Sequence, residues 1–180
     1  MKETGSSPVC NAMTRWAVLC LLVGVFGLSQ GCGGTEEFTP YLEQTDVGRT
    51  LEINGQTITV ETAITGAERR DGLSHRPSLP ENYGMLFVYP EPDHLHFWMK
   101  DTYINLDIAF LTVTFDEEGI GQATVVNIEQ MEKLEESPGA IAHQPVTMAL
   151  EMRKDWFASN QIGPGSKFTM PEWVYDLRVE

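Results

Sequence analysis

The stretch GMLFVYPEPDHLHFWMKDTYINLD, residues 84–107, decides the fold, and it leads directly into LDIAFLTVTF, residues 106–115. Residues 85–89 form a compact apolar run that Pro90 closes, and residues 96–100 form a second short strand candidate. Residues 106–115 are the longest strand candidate and are rich in the β-branched and aromatic residues that favour strands. The stretch therefore predicts buried strands joined by short loops.

The flanking sequence carries further turn, strand and helix signals. Residues 51–64 alternate apolar and polar side chains around Asn54-Gly55, a pair that favours the type I′ turn of a hairpin. Thr65 and Glu68 form a capping-box pattern, which predicts a short helix after the hairpin. Downstream, the patterns predict strands over residues 123–128, 147–152 and 167–170, and a brief helical segment over residues 155–160.

Many short strands with frequent turns, and only brief helices, predict a mainly β fold. We expect a compact antiparallel domain that resembles a β-sandwich or barrel and carries one or two short helices. A doubly wound parallel sheet is not supported, because strands and helices do not alternate along the sequence.

The N-terminal region differs in composition from the rest. Residues 16–28, WAVLCLLVGVFGL, are apolar but shorter than the roughly 18 residues that a membrane-spanning helix needs. This length fits the apolar centre of a secretory signal peptide, with a buried core helix as the alternative. We therefore predict a signal peptide over residues 1–31, an acidic tether over residues 32–48 and one globular β-domain over residues 49–175.

The three cysteines, Cys10, Cys20 and Cys32, all lie in this region. Cleavage before Cys32 would leave that cysteine alone, so the mature chain could form no internal disulfide. Cys32 resembles the lipidated first residue of bacterial lipoproteins, although Leu28 stands one position further upstream than the usual signal has it. We predict export to the cell envelope, with a lipid anchor holding the protein to the membrane on the periplasmic side. Ordinary cleavage and secretion is the alternative.

The charge balance limits the possible partners. The chain has 26 acidic and 12 basic residues, and its formal net charge is −14. Subtracting Lys2, Arg15 and Glu3 leaves 25 acidic and 10 basic residues after position 31. Such a surface repels nucleic acid, so we predict no nucleic-acid partner. Phosphate-binding glycine loops and the motifs G-x-S-x-G, H-E-x-x-H and C-x-x-C do not occur in the mature sequence, and we predict no cofactor.

Polar residues among apolar ones mark the candidate site. Asp107 and Glu151 interrupt apolar strand candidates, and a buried acid needs an ion pair or a hydrogen bond. Lys100 is the predicted partner of Asp107, while Trp98 offers a flat ring beside that lysine. We predict a ligand-binding pocket lined by Arg76, Trp98, Lys100 and Asp107. A purely structural ion-pair network is the alternative.

His94 and His96 form an H-x-H pattern, whose two rings would share one face of a strand. A third metal ligand could come from His143, Asp107 or an acidic neighbour. Pro92 lies just upstream, however, and favours a loop with solvated histidines. We predict no metal site and keep His94 and His96 as weak candidates only.

Several blocks occur here in the order of a known family pattern, namely Gly72-Leu73, Arg76, Leu79-Pro80, residues 84–87, 97–102 and 106–110, Leu150-Glu151 and residues 163–165. The chain resembles the uncharacterised bacterial and archaeal family catalogued as domain of unknown function 192. It differs at Asp101, where the family usually has Asn, and at Ser74, where it usually has Met. The resemblance implies a small, often exported β-sandwich-like domain and supplies no established activity.

Three hypotheses about function follow from these patterns. The leading one is an exported, lipid-anchored domain that binds a small ligand or an envelope partner. The second is a hydrolase that acts on envelope material, with or without a metal, and the third is a purely structural envelope domain. The sequence leaves open whether the protein is an enzyme.

Overall fold

The structure is a computed structural model that describes residues 49–137 and 139–179. The predicted signal peptide, the acidic tether and Cys32 lie outside the described residues, so these remain predictions. Within the described part of the chain, no helix has the length and apolar character needed to cross a membrane.

The described residues form nine strands and two short α-helices, followed by one 3-10 turn at Glu172–Val174. The strands and helices in chain order are β1 (Thr50–Ile53), β2 (Gln56–Ala63), α1 (Gly66–Asp71), β3 (Tyr83–Asp93), β4 (His96–Phe97), β5 (Leu106–Phe115), β6 (Gly121–Met131), β7 (Ala140–Ile141), β8 (Val146–Arg153), α2 (Trp156–Ser159) and β9 (Lys167–Thr169).

Seven of the strands form one sheet in the order β1-β2-β3-β8-β5-β6-β9. The edge strands β1 and β9 approach each other, so the sheet nearly closes into a barrel. Strands β4 and β7 pair separately as a small two-stranded sheet. The prediction of a mainly β, barrel-like single domain with one or two short helices is confirmed.

One pairing differs from the antiparallel arrangement that we predicted. Strands β2 and β3 run parallel, with Val60 opposite Gly84, while every other pair in the described sheets is antiparallel. Residues 64–82, which include α1, carry the chain back to the starting end of β2. Parallel neighbours require such a crossover, whereas a hairpin joins only antiparallel strands.

The sheet buries apolar side chains on both faces, and each face has its own core. Inside the barrel, the core includes Leu51, Ile58, Leu86, Ala109, Leu150, Trp156 and Phe168. On the outer face, side chains of the sheet pack against Leu73, Leu95, Phe97, Met99 and Ala140, which come from the covering loops and the small sheet.

The turn and cap signals are confirmed. Asn54 and Gly55 both adopt the left-handed conformation, with φ of 49° and 77°, and join β1 to β2. The Glu68 backbone N–H donates to Thr65 Oγ1 over 3.2 Å, and the Thr65 backbone N–H donates to Glu68 Oε2 over 2.9 Å. Helix α1 therefore begins with the reciprocal capping box that the sequence predicts.

Strand β3 is longer than predicted. It passes through Pro90 and Pro92 to Asp93, because its pairing with β8 is irregular between Val88 and Asp93. Proline is tolerated where a strand has no regular ladder bond to donate. Strand β4 is correspondingly shorter, since the chain turns after Phe97.

Strand β6 also extends beyond the predicted residues 123–128. It continues to Met131, which pairs with Leu106, so the start of the segment that we expected to be a loop belongs to the sheet. This end of β6 stays in the sheet despite its charged side chains, because its backbone pairs with the long strand β5.

Candidate functional site

Two buried glutamates lie close together on the outer face of the sheet. Glu61 in β2 is opposite Met85 in β3, and Met85 is opposite Glu151 in β8. Paired residues of neighbouring strands point to the same face, so both carboxyls face the covering loop after α1. Both residues are at least 96% buried.

Arg76 of that loop neutralises Glu61. Its Nη2 donates to Glu61 Oε2 over 2.8 Å, and its Nη1 makes a second, parallel bond to Oε1. Tyr83 adds a third bond, because its hydroxyl donates to Glu61 Oε1 over 2.8 Å. We call Glu61, Arg76, Tyr83 and Glu151 the Arg76 cluster.

Glu151 has no hydrogen-bond partner within the described residues. Burial raises the pKa of its carboxyl to about 8, and the positive charge of Arg76 only partly opposes that rise. The Glu151 carboxyl is therefore mostly neutral at pH 7. One guanidinium thus accompanies two buried acids, of which Glu61 is paired with it and Glu151 is mostly protonated at pH 7, and this suits a structural network.

Asp107 lies on the opposite face of the sheet. Its Oδ2 accepts a hydrogen bond of 2.8 Å from the Asp155 backbone N–H, and its Oδ1 is buried without a partner in the described residues. Burial raises the pKa of this carboxyl, and the Asp155 N–H limits the rise.

The ion pair that we expected between Lys100 and Asp107 does not form in the described part of the chain. Strand alternation is the reason. Leu106 and Ile108 point into the outer core beneath the covering loops, so Asp107 between them points to the other face.

A second group of residues lies at the surface, and Trp98 and Lys100 are the two of them that the sequence predicted. Trp98 is 53% exposed, Tyr103 is 48% exposed and Leu134 is 55% exposed. The Lys100 Nζ lies 6.0 Å from the centroid of the Trp98 ring, and the His75 ring meets the Tyr103 ring edge-on at 6.2 Å. We call these five residues the Trp98 surface.

Backbone hydrogen bonds join the three loops that carry the Trp98 surface. His75 N donates to Asp101 O over 2.8 Å, and Leu134 N donates to Thr102 O over 3.0 Å. His75, Asp101 and Leu134 all have left-handed backbones, with φ between 54° and 64°. Residues other than glycine rarely adopt this conformation, and clusters of them are typical of functional sites.

The four residues predicted to line one pocket therefore occupy three places. Trp98 and Lys100 are adjacent at the surface, Arg76 is half-buried one residue beyond His75, and Asp107 lies on the other face. Sequence reasoning missed Glu61, Tyr103 and Leu134. Glu61 follows the polar half of an alternating strand, and the exposure of Tyr103 and Leu134 has no sequence signal.

The histidines of the H-x-H pattern do not converge on a common point. His94 Nδ1 donates to the Ala142 carbonyl over 3.0 Å, while His96 is exposed and its backbone pairs with Ile141. Among the residues that the structure describes, no three His, Cys, Asp or Glu side chains are placed to hold a metal ion.

An open groove of about 310 Å³ lies at the end of the β5–β6 hairpin. Phe115, which is 60% exposed, lines it together with Ile120 and Thr169. The centroids of the Phe115 and Tyr175 rings are 5.1 Å apart. This surface shares no residue with the Trp98 surface, and it supplies a control for experiments on the latter.

These features define the class of protein. It is a barrel-like β-domain in which an Arg–Glu cluster lies beneath loops that expose aromatic side chains. The chain belongs to the DUF192 family of uncharacterised ACR proteins, whose model matches residues 49–170. No curated protein matches the chain.

Two of the solved structures that are similar to this chain come from bacteria. A protein of unknown function from Novosphingobium aromaticivorans is 29% identical with a TM-score of 0.58, and the match covers 68% of this chain and 81% of that one. A protein of Sinorhizobium meliloti, provisionally described as a transcription regulator, is 26% identical with a TM-score of 0.56; the match covers 67% of this chain and 90% of that one.

Proposed function

We propose that this protein is an exported, lipid-anchored domain that binds a protein partner of the cell envelope through the Trp98 surface. The observation that carries the proposal is the exposure of three large apolar side chains on loops with left-handed backbones. Aromatic residues are enriched in protein interfaces, because their rings bury much apolar area with few rotatable bonds.

The Arg76 cluster supports this surface from below. Arg76 is held by Glu61, and its neighbour His75 is held by the Asp101 carbonyl. Ser74 Oγ also donates to the Lys100 carbonyl over 3.2 Å. The loop that carries Arg76 is thus attached both to the sheet and to the Trp98 loop, and a surface ordered in advance loses less entropy on binding.

The N-terminal sequence supports the proposed location. The apolar run of residues 16–28 and the following Cys32 fit a lipoprotein signal, and the acidic residues 33–48 would serve as a tether. Several acyl chains, at about 0.8 kcal/mol per buried CH₂, would hold the domain to the membrane.

A DNA-binding role, which the description of the Sinorhizobium protein would suggest, is not part of the proposal. The formal net charge of −14 opposes contact with a phosphate backbone. The charge argues against nucleic acid, and the exposed aromatic side chains favour a protein as the partner.

Envelope crosslinking tests the proposal. Cells would produce the tagged full-length protein with its own signal, as wild type or as the Trp98→Ala/Tyr103→Ala variant, with Phe115→Ala as the control for loss of an exposed aromatic. We expect the wild type and Phe115→Ala to give the same crosslinked species and the double variant to lose it. The proposal is wrong if the double variant keeps its crosslinks while its melting temperature equals that of the wild type.

A further inference from the structure

The loops of the Trp98 surface carry an excess of acidic side chains. Asp101, Glu135 and Glu136 are exposed, and none of them forms an ion pair within the described residues. Glu132 of the same segment is engaged by Lys154. Three carboxylates without ion pairs thus accompany the exposed aromatic rings on these loops.

The Trp98 ring already attracts one cation. Lys100 Nζ stands 6.0 Å from the ring centroid, at the edge of the range for a cation–π contact. The negative face of an indole ring and nearby carboxylates attract positive groups and repel negative ones. A cation from another molecule that lies closer to the Trp98 ring can therefore displace Lys100.

We infer that the Trp98 surface recognises a Lys- or Arg-bearing segment of its partner protein, and that Lys100 competes internally for the same ring. A partner guanidinium or ammonium stacks on Trp98 or Tyr103, and Asp101, Glu135 and Glu136 supply the opposing charges. This inference rests on the proposed function and specifies the chemistry of the partner.

The Lys100→Gln variant provides the sharpest test, because the competing hypotheses predict opposite signs. Removing the Lys100 ammonium group should tighten binding of a cationic partner by about two- to fivefold, because one exposed cation–π contact contributes that much to affinity. An anionic ligand would instead lose its positive partner and bind more weakly. Lys133→Gln is the matched control, since it removes the same charge from the same surface, next to Leu134, whereas Lys100 is the lysine that stands over the Trp98 ring.

The probe is a short peptide of alternating Gly and Arg, measured by calorimetry against the detergent-purified full chain at low and high salt. We expect binding that weakens with salt, tightens in Lys100→Gln more than in Lys133→Gln, and is lost in Trp98→Ala but not in Phe115→Ala. A peptide of alternating Gly and Glu should not bind.

The inference is overturned if Lys100→Gln binds the Arg peptide no more tightly than Lys133→Gln does. Equal binding of the Glu peptide, or undiminished binding by folded Trp98→Ala, also overturns it. If the Arg peptide fails while crosslinking still recovers a partner that depends on Trp98 and Tyr103, the inference alone is wrong. If that dependence is also absent, the proposed function is wrong as well.

Discussion

At the scale of single residues, Arg76 is the cation on which two buried acids depend. Its side chain is 16% exposed, and that of Glu61 is 4% exposed. A buried ion pair adds little net stability, because both ions lose their hydration. Removing one member is costly, however, since the other charge is left buried and uncompensated.

The Arg76→Ala variant should therefore lose about 3–5 kcal/mol of unfolding free energy at pH 7. Arg153→Ala is the control, because that side chain is 52% exposed and lies 4.0 Å from Glu81 Oε1. Its loss should stay within about 0.5 kcal/mol. Urea unfolding of both variants measures the difference, and equal losses would contradict the assigned role of Arg76.

Glu151 makes stability depend on pH. Its pKa is about 8 in the folded protein and close to 4.5 in the unfolded chain. Between these values the folded state binds one more proton than the unfolded state, so the unfolding free energy falls as pH rises from about 4.5 to 8. The contribution is favourable only while the carboxyl keeps its proton.

The Glu151→Gln variant should lose this dependence on pH. From pH 5 to pH 8, the unfolding free energy of the wild type should fall by a few kcal/mol more than that of the variant. Glu117→Gln is the control, because Glu117 is an exposed carboxylate in the turn between β5 and β6. Unfolding curves at pH 5 and pH 8 provide the measurement. A wild-type curve parallel to that of Glu151→Gln would refute the buried, protonated state.

At the scale of elements, the pairing of β3 with β8 depends on Gly84. A Cβ atom at this position would lie 2.3 Å from the Glu151 carbonyl oxygen and 2.4 Å from Met152 Sδ. Both neighbours belong to β8, so any side chain at Gly84 must push the two strands apart. Position 84 requires glycine because the backbones of β3 and β8 approach closely there, and not because the residue has a left-handed conformation.

Gly84→Ala should therefore cost about 1–3 kcal/mol of unfolding free energy, as overpacked cores do. Gly163→Ala should be nearly neutral, because a Cβ there meets no atom within 4 Å and the backbone is not left-handed. Thermal unfolding of the two variants side by side checks the prediction, and comparable melting temperatures would contradict it.

Element prediction succeeded where the signal is local. The Asn54-Gly55 turn and the Thr65 cap depend on residues within four positions of each other, so the sequence alone determines them. The parallel pairing of β2 with β3 is decided by where the crossover packs. The length of β3 depends on its partner, since Pro90 would otherwise end it.

The candidate site could be predicted only in part, because most of its contacts join residues that are far apart in the sequence. Strand alternation inside 106–108 implied that Asp107 points away from its neighbours, but which face of the sheet Lys100 covers is a tertiary property. The pairing of Arg76 with Glu61 joins a loop to a strand across a crossover. No pattern in the sequence marks that contact.

At the scale of the whole molecule, location should depend on Cys32, which lies outside the described residues. Cys32→Ser should move the protein from the membrane fraction to the soluble fraction, because the acyl chains that bury CH₂ groups in the bilayer are lost. Cys20→Ser, inside the predicted signal peptide, should leave the distribution unchanged. Cell fractionation with mass spectrometry of the mature N-terminus checks this, and a wild-type mature N-terminus without acyl chains on Cys32 would disprove the lipid anchor.

The sequence by itself determined the mainly β class, the hairpin, the capped helix and the family, because these depend on short-range patterns and on ordered blocks of residues. Only the tertiary structure decided that Glu61 and Glu151 both lie near Arg76, that Lys100 and Asp107 do not form a pair and that Trp98 is exposed. These features depend on which strands are neighbours and on what covers each face. Residues far apart in the chain decide both.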